Sequence, residues 1–286
     1  MDYAIDVRDL TKDYGTFRLD RVSFCLPGGA IMGLIGENGA GKSTTIRCML
    51  NLACYQAGSV RLLGKDVRQE ENAVKEDLGV VLDESTFHDT LKAPDVSRIL
   101  SRIYRRWDEV LYARYLDQFE LPRNKTIKEY SRGMKMKLSI AAALAHRPRL
   151  LLLDEATSGL DPVVRNEILD EFLNFIQDEE HAVLISSHIT SDLEKVADYI
   201  TYLHRGKVTH SGARDQLLES HGRLACSREE LSSIDPDYLG GTRTSQFSCE
   251  ALIRNKREFI FRYPKLLVDP VTLEDLMLFT SRGDRT

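Results

Sequence analysis

Cysteine is scarce and unpatterned in this sequence. The five residues (Cys25, Cys48, Cys54, Cys226 and Cys249) form an odd number, lie far apart and include no Cys-x-x-Cys pair. That argues against a disulfide framework and a zinc knuckle, and fits a reducing compartment. An excess of positive charge is missing too. Lys and Arg number 39 against 44 Asp and Glu, a formal charge of −5, so no global field draws the chain to a phosphate backbone and nucleic acid is not expected as a partner. Long apolar runs are absent. The most apolar windows, Leu150 to Leu153 and Ala141 to Ala145, fall far short of the roughly 18 to 20 residues of a spanning helix, so any membrane link would come through a partner. The opening MDYAIDVRDL has neither the basic nor the apolar region of a secretory signal, and its residues are expected to belong to the fold of a cytoplasmic protein.

What is present suits a globular chain. Its 286 residues, 42% hydrophobic and 29% charged, suffice for one substantial core and a small appended domain. The first thirty alternate as strands do (AIDVRDL, then FRLDRVSFCL), and Pro27-Gly28-Gly29 makes a turn before an apolar strand from Ala30 to Ile35. A glycine-rich loop follows, then a helix from Thr45 to Leu52. Short strands (SVRLLG, LGVVL) fill residues 59 to 82, and from 93 to 129 the apolar spacing turns helical, as in Val96, Ile99, Leu100, Ile103 and Tyr104. We read an inserted helical subdomain over about 84 to 147. Within it Ser131 opens a long helix through Ala145, and Pro148 stops that helix before the strand Leu150 to Leu153. Strand and helix then alternate through Val183 to Ile185, Ile200 to Leu203 and Lys207 to Thr209. The pattern predicts an α/β fold with a largely parallel sheet over residues 1 to 214. Beyond 215, strand-like pieces (GRLACS, TSQFSCEALI, REFIFRYP) and a last helix from Thr272 to Phe279 predict a small α+β appendix over 215 to 286.

The loop Gly36-Glu37-Asn38-Gly39-Ala40-Gly41-Lys42-Ser43-Thr44 matches the Walker A spacing, Gly-x4-Gly-Lys-Ser. Its glycines let backbone N–H groups curl around a phosphate, and the following helix points its positive end at the anion. Lys42 is placed to reach the β- and γ-phosphates and the Ser43 hydroxyl to ligate Mg²⁺. Leu150 to Leu153 ends in Asp154 and Glu155, so a buried strand delivers two carboxylates at its carboxyl end, where open α/β sheets bind ligands. Asp154 would hold Mg²⁺, directly or through water, and Glu155 would polarise the attacking water.

In order and identity these residues resemble the ABC ATPase family, over roughly residues 3 to 212. Gly36 to Thr44 resembles its Walker A and Leu150 to Glu155 its Walker B. Ser158-Gly159-Leu160-Asp161 resembles its D-loop, and His188 the switch histidine that contacts the γ-phosphate. Tyr14 matches the aromatic residue that stacks on adenine, with the nearby ring of Phe17 as the alternative. Tyr130-Ser131-Arg132-Gly133-Met134 stands where the family has its LSGGQ signature, which acts in trans on the nucleotide of a second subunit. The resemblance implies the P-loop NTPase fold with an antiparallel β subdomain, and an ATPase with ATP and Mg²⁺ as cofactors. It further implies a nucleotide-sandwich dimer with itself or with a paralogous ATPase, seated on the inner face of the cell membrane through a permease subunit. The YSxGM form is similar to that of bacterial drug and antibiotic exporters with separate membrane subunits.

Two departures stand out. Arg132 replaces the first signature glycine and either stays in solvent or adds charge near the phosphates. Asp83 follows Gly79-Val80-Val81-Leu82 where the family has glutamine; it can still offer oxygen to Mg²⁺ or its water but cannot donate a hydrogen bond, and Glu84 is the alternative. Arg98, Arg102, Arg105 and Arg106 are expected along one side of a helix, as a solvated face or a contact with a membrane subunit or anionic lipid. The ending VDPVTLEDLMLFTSRG also resembles such exporter ATPases, and its Leu273, Leu276 and Met277 are expected to form one apolar helix face. Two other classes are consistent with parts of the pattern: a soluble ABC ATPase acting on ribosomes or DNA, and a weakly hydrolysing regulator suggested by Asp83 and Arg132.

Overall fold

The computed structural model describes residues 3–83, 87–244 and 248–282. Its centre is a six-stranded sheet in the order Lys207–Ala213, Tyr199–His204, Ala30–Ile35, Ala182–Ser187, Leu150–Asp154, Leu78–Val81. All neighbours run parallel except the edge strand Lys207–Ala213. The middle strands are apolar throughout because both faces are covered. Successive side chains on a strand point to opposite faces, and the sequence divides accordingly. Leu150, Leu152, Leu184, Met32 and Leu34 enter one core, while Leu151, Leu153, Val183, Ile185 and Ile35 enter another. Each of those leucines is at most 1% exposed, and such burial is worth about 1.5–3 kcal/mol per side chain relative to exposure.

The first core is closed by an antiparallel sheet in the order Arg18–Pro27, Tyr3–Asp13, Ala57–Leu62, Lys65–Asp66, together with the helix Lys42–Met49. The second lies under the helices Ala93–Leu100, Glu109–Gln118, Arg132–Leu144 and Pro162–Phe175. The inserted helical segment is therefore present, and Ser131 and Ala145 cap its long helix as the spacing predicts.

A third sheet, antiparallel in the order Leu239–Thr244, Cys249–Ile253, Gly222–Cys226, Val268–Asp269, occupies the C-terminal region. The last helix runs Leu273–Arg282, started by Thr272 and Asp275, whose side chains bond each other's backbone N–H groups. Leu273 and Leu276 are buried and Met277 partly so, in one core with Leu193, Val196 and Tyr202.

Two expectations are corrected. REFIFRYP is not a strand: Lys256–Arg262 is a helix entered through Asn255 in the left-handed region, φ 50°. Only Phe259 and Tyr263, one helical turn apart, pack inward, whereas Ile260 and Phe261 are exposed. The four arginines do not share one helix face, because the helix ends at Leu100. Arg98 pairs with Asp95, and Arg106 with Asp77. The Arg105 N–H donates to Glu76 Oε1 at 2.9 Å.

Candidate functional site

The loop between Ile35 and Lys42 is held in shape by contacts that only glycine permits. A Cβ on Gly36 would lie 2.4 Å from the Leu203 carbonyl oxygen, and Gly41 caps the next helix at φ 111°. The loop is pinned further by Ala40 N–H donating to Glu37 O at 3.0 Å and Gly206 N–H donating to Ala40 O at 2.9 Å. Lys42, 5% exposed, donates from Nζ to Gly36 O at 2.7 Å and lies 3.3 Å from Glu155 Oε1. A buried ammonium needs such partners, since an unpaired charge there is very costly.

Glu155 follows the strand Leu150–Asp154 with its backbone at φ 53°, a conformation costing about 1 kcal/mol for a residue with a side chain. Its N–H donates to the Ser186 carbonyl at 3.1 Å and to the Ser186 hydroxyl at 3.2 Å. The bend turns the carboxylate towards Lys42 on one oxygen and His188 on the other, with Oε2 2.7 Å from Nδ1. A carboxylate only accepts, so Nδ1 carries the proton and His188 is left with Nε2 for other work. Asp154, 6% exposed, accepts a hydrogen bond from the same Ser186 hydroxyl. Ser186 stands opposite Asp154 in the sheet register and thus orients both acids.

These groups border a cleft of about 450 Å³. Residues 37–39 and 41–44 line it, with Asp83, Glu155, His188 and, in addition, Phe17 and Ser158. Gly36, Ala40 and Asp154 are not on its surface; Ala40 packs in the core and Asp154 is buried. Tyr14 does not line it either. The residue is 52% exposed, and the Lys12 ammonium lies 4.5 Å above its ring. The hairpin turn places the Phe17 ring instead within 2.9 Å of where a Gly41 Cβ would stand. Glu84 lies outside the described residues.

Ser131, Arg132, Gly133 and Met134 do not line this cleft. Ser131 and Arg132 are exposed at a helix start, where the Ser131 Oγ accepts from Met134 N–H at 3.2 Å, while Met134 is partly buried. The Arg132 guanidinium bonds Asp83 Oδ1 at 3.1 Å, with both side chains more than half exposed. Asp161 caps the helix Pro162–Phe175, its Oδ1 accepting from Val163 and Val164 N–H at 3.1 Å. Sequence reasoning missed Ser186, a polar residue inside an apolar strand, and His204, whose Nδ1 lies 3.1 Å from Glu37 Oε1. Ser186 could have been found only from strand register.

The oxygen donors Ser43, Asp154 and Asp83 have the chemistry of a hard cation. Among the described residues no cluster of three or more His, Cys, Asp or Glu forms a metal cage. A Mg²⁺ ion would therefore rely on few protein oxygens and on phosphate, as that ion commonly does. No helix among the described residues is long and apolar enough to cross a membrane.

The ABC transporter family model matches residues 19–158. The bacitracin transport ATP-binding protein BcrA of Enterococcus faecalis is 34% identical over 209 residues, covering 72% of this chain and 68% of that protein. The daunorubicin/doxorubicin resistance ATP-binding protein DrrA of Streptomyces peucetius is 33% identical over 253 residues, or 84% and 76% of the two chains. Among solved structures, the ATP-binding subunit of an ABC transporter superposes with a TM-score of 0.69 at 25% identity, covering 82% of this chain and 96% of that one. Such likeness across both phosphate motifs and most of the chain's length makes this protein a member of the ABC transporter family, as one of its ATP-binding subunits.

Proposed function

We propose that this subunit hydrolyses ATP between two copies of itself, or between itself and a paralogue, to drive a separate membrane permease that exports its cargo. The array Lys42–Glu155–His188 at the mouth of the phosphate cleft carries this reading. It joins a phosphate-binding cation, a carboxylate next to the site of attack and a histidine that holds the carboxylate. Backbone N–H groups of residues 37–44 cradle the β- and γ-phosphates, and Lys42 moves its ammonium from Gly36 O to them. Glu155 takes the proton of the attacking water as oxygen bonds to the γ-phosphorus and the bond to the β-phosphate oxygen breaks. His188 fixes that carboxylate through its Nδ1–H and, in the doubly protonated form, donates from Nε2–H to the γ-phosphate. Ser43 and Asp154 would hold Mg²⁺, which would supply neutralisation of phosphate charge, while the Asp83 carboxylate at the rim is engaged by Arg132. Catalysis is then chiefly positioning and charge stabilisation.

The helix start at Ser131 is used in trans. Its hydroxyl accepts within the chain, so its proton remains for an anion, and the helix dipole adds to the attraction. Export rather than import is supported by the names of the relatives, which include bacitracin transport, daunorubicin/doxorubicin resistance and linearmycin resistance ATP-binding proteins. The reading places the subunit on the inner face of the cell membrane, attached through the permease. It also treats residues 215–286 as an accessory unit beside the ATPase unit 1–214.

Glu155→Gln keeps the shape of the side chain and removes its basicity. We expect ATP binding to persist, turnover to fall by at least about a hundredfold, and an ATP-bound dimer to accumulate, as read by equilibrium binding, phosphate release and light scattering. Unchanged phosphate release would refute the assignment.

A further inference from the structure

The two departures from the family pattern, Arg132 and Asp83, lie 49 residues apart in sequence and meet in space at 3.1 Å. Neither choice is favourable alone. Arg132 is the first residue of the helix Arg132–Leu144, where a cation opposes the positive helix end. Asp83 puts negative charge on the rim of a cleft shaped for phosphates. Together they cancel. The guanidinium also lies against Gly159: a Cβ there would be 2.7 Å from Nη1 and 3.0 Å from Cζ, and the backbone has φ 68°. One side chain thus joins the helix start, the cleft rim and the turn after Glu155.

We propose that Arg132 and Asp83 are positioning residues for the ATP site. Their ion pair holds the start of the helix Arg132–Leu144 against the chain's own cleft, and it opens before that helix start faces the nucleotide of a second subunit. Asp83 acts as an internal anion that competes with the partner's γ-phosphate for the same positive helix end. The pair therefore sets the ATP concentration at which two subunits close, not the affinity of one subunit for nucleotide. An ion pair this exposed shifts equilibria by only about two- to fivefold, which suits a contact that must open in every cycle. The last clause of the proposal rests on the function proposed above; the geometry of the pair does not.

Two readouts test it in the Glu155→Gln protein. Without nucleotide, amide exchange is followed at Met134 and Lys135, whose N–H groups bond Ser131. With ATP, the concentration giving half-maximal dimer is measured by light scattering. Asp83→Asn and Arg132→Ala should each speed exchange and lower the half-point by about two- to fivefold. Asp83→Asn should add nothing once Arg132 is Ala, and the swap D83R/R132D, which keeps an ion pair, should return the exchange rates towards the parent values. Equal Asp83→Asn effects with and without Arg132 would show that Asp83 acts on nucleotide directly and would overturn the proposal, as would unchanged exchange in every variant. A Glu155→Gln protein that never dimerises with ATP would remove the in-trans reading and the last clause together, and the exchange rates alone would then decide the pair.

Discussion

Ser186→Ala is the most informative single change outside the phosphate loop. The Ser186 hydroxyl is fully buried, donates to the Asp154 carboxylate and accepts from the Glu155 N–H at 3.2 Å. After the substitution the Glu155 N–H keeps the Ser186 carbonyl at 3.1 Å, so no backbone donor is orphaned and no cavity opens. The loss falls on one buried carboxylate. A hydrogen bond to a charged group is worth about 1.5–3 kcal/mol, which in a chain of this size lowers the melting temperature by about 2–5 °C. Ser187→Ala is the control. It removes only the acceptor for Ile189 N–H at 2.9 Å, a neutral bond worth about 1 kcal/mol, and touches neither acid. Thermal unfolding gives the stability difference, and a Mg²⁺ titration of ATPase activity gives the functional one: half-saturation should rise about tenfold in Ser186→Ala and stay put in Ser187→Ala. If the two variants melt together and need the same Mg²⁺, Ser186 does not organise Asp154.

Three further outcomes follow from particular side chains. Phe17→Ala should weaken ATP binding by about tenfold, the worth of one lost stacking contact, while Tyr14→Ala leaves it unchanged; equilibrium titration with ATP and with inorganic triphosphate separates base from phosphate contributions. Timed alkylation with iodoacetamide followed by mass spectrometry should label the exposed Cys54 first. Cys48 should resist, because burial pushes its thiol up to about 11 and little thiolate forms at neutral pH. His210 is held at about 4 by burial, then by His221 and Arg254. The folded state thus refuses a proton that the unfolded chain accepts near pH 6.5, so its stabilisation is complete above that value and fades as pH falls towards 4. The loss reaches about 3 kcal/mol, and urea unfolding at about pH 7 and about pH 5 should show a smaller difference in His210→Gln.

The features legible in the sequence share one property: the residues that cooperate are neighbours. Gly36 to Thr44 is a single loop, Leu150 to Glu155 a single strand end, and two-residue alternation shows which leucines face which core. Helix starts were legible at Ser131 for the same reason, since a cap is made with a residue three positions on. Where the partner is remote, pattern gives no warning. Cys226 and Cys249, far apart in the chain, are register partners on adjacent strands. Tyr14 and Phe17 differ by three positions in one turn, and only the path of that turn decides which ring faces the cleft. REFIFRYP reads as a strand because three apolar residues stand together, although the fold uses only Phe259 and Tyr263 of that segment.

Asp83 and Arg132 make the same point from the opposite direction. Taken singly, each weakens a site whose job is to bind anions: one adds a negative charge to the cleft, the other sets a cation on a positive helix end. Local rules mark both as faults, and a weakly active regulator is the natural inference from them. The 3.1 Å contact between them removes that inference's footing, because the two charges cancel where they sit and leave Lys42, Ser43, Glu155 and His188 in place around the cleft. A pair of mutually compensating departures costs the site little and adds a contact inside one subunit, the contact that the proposed head-to-tail partner would displace. The sites where local rules fail are thus the ones to which the proposal above assigns control over closure.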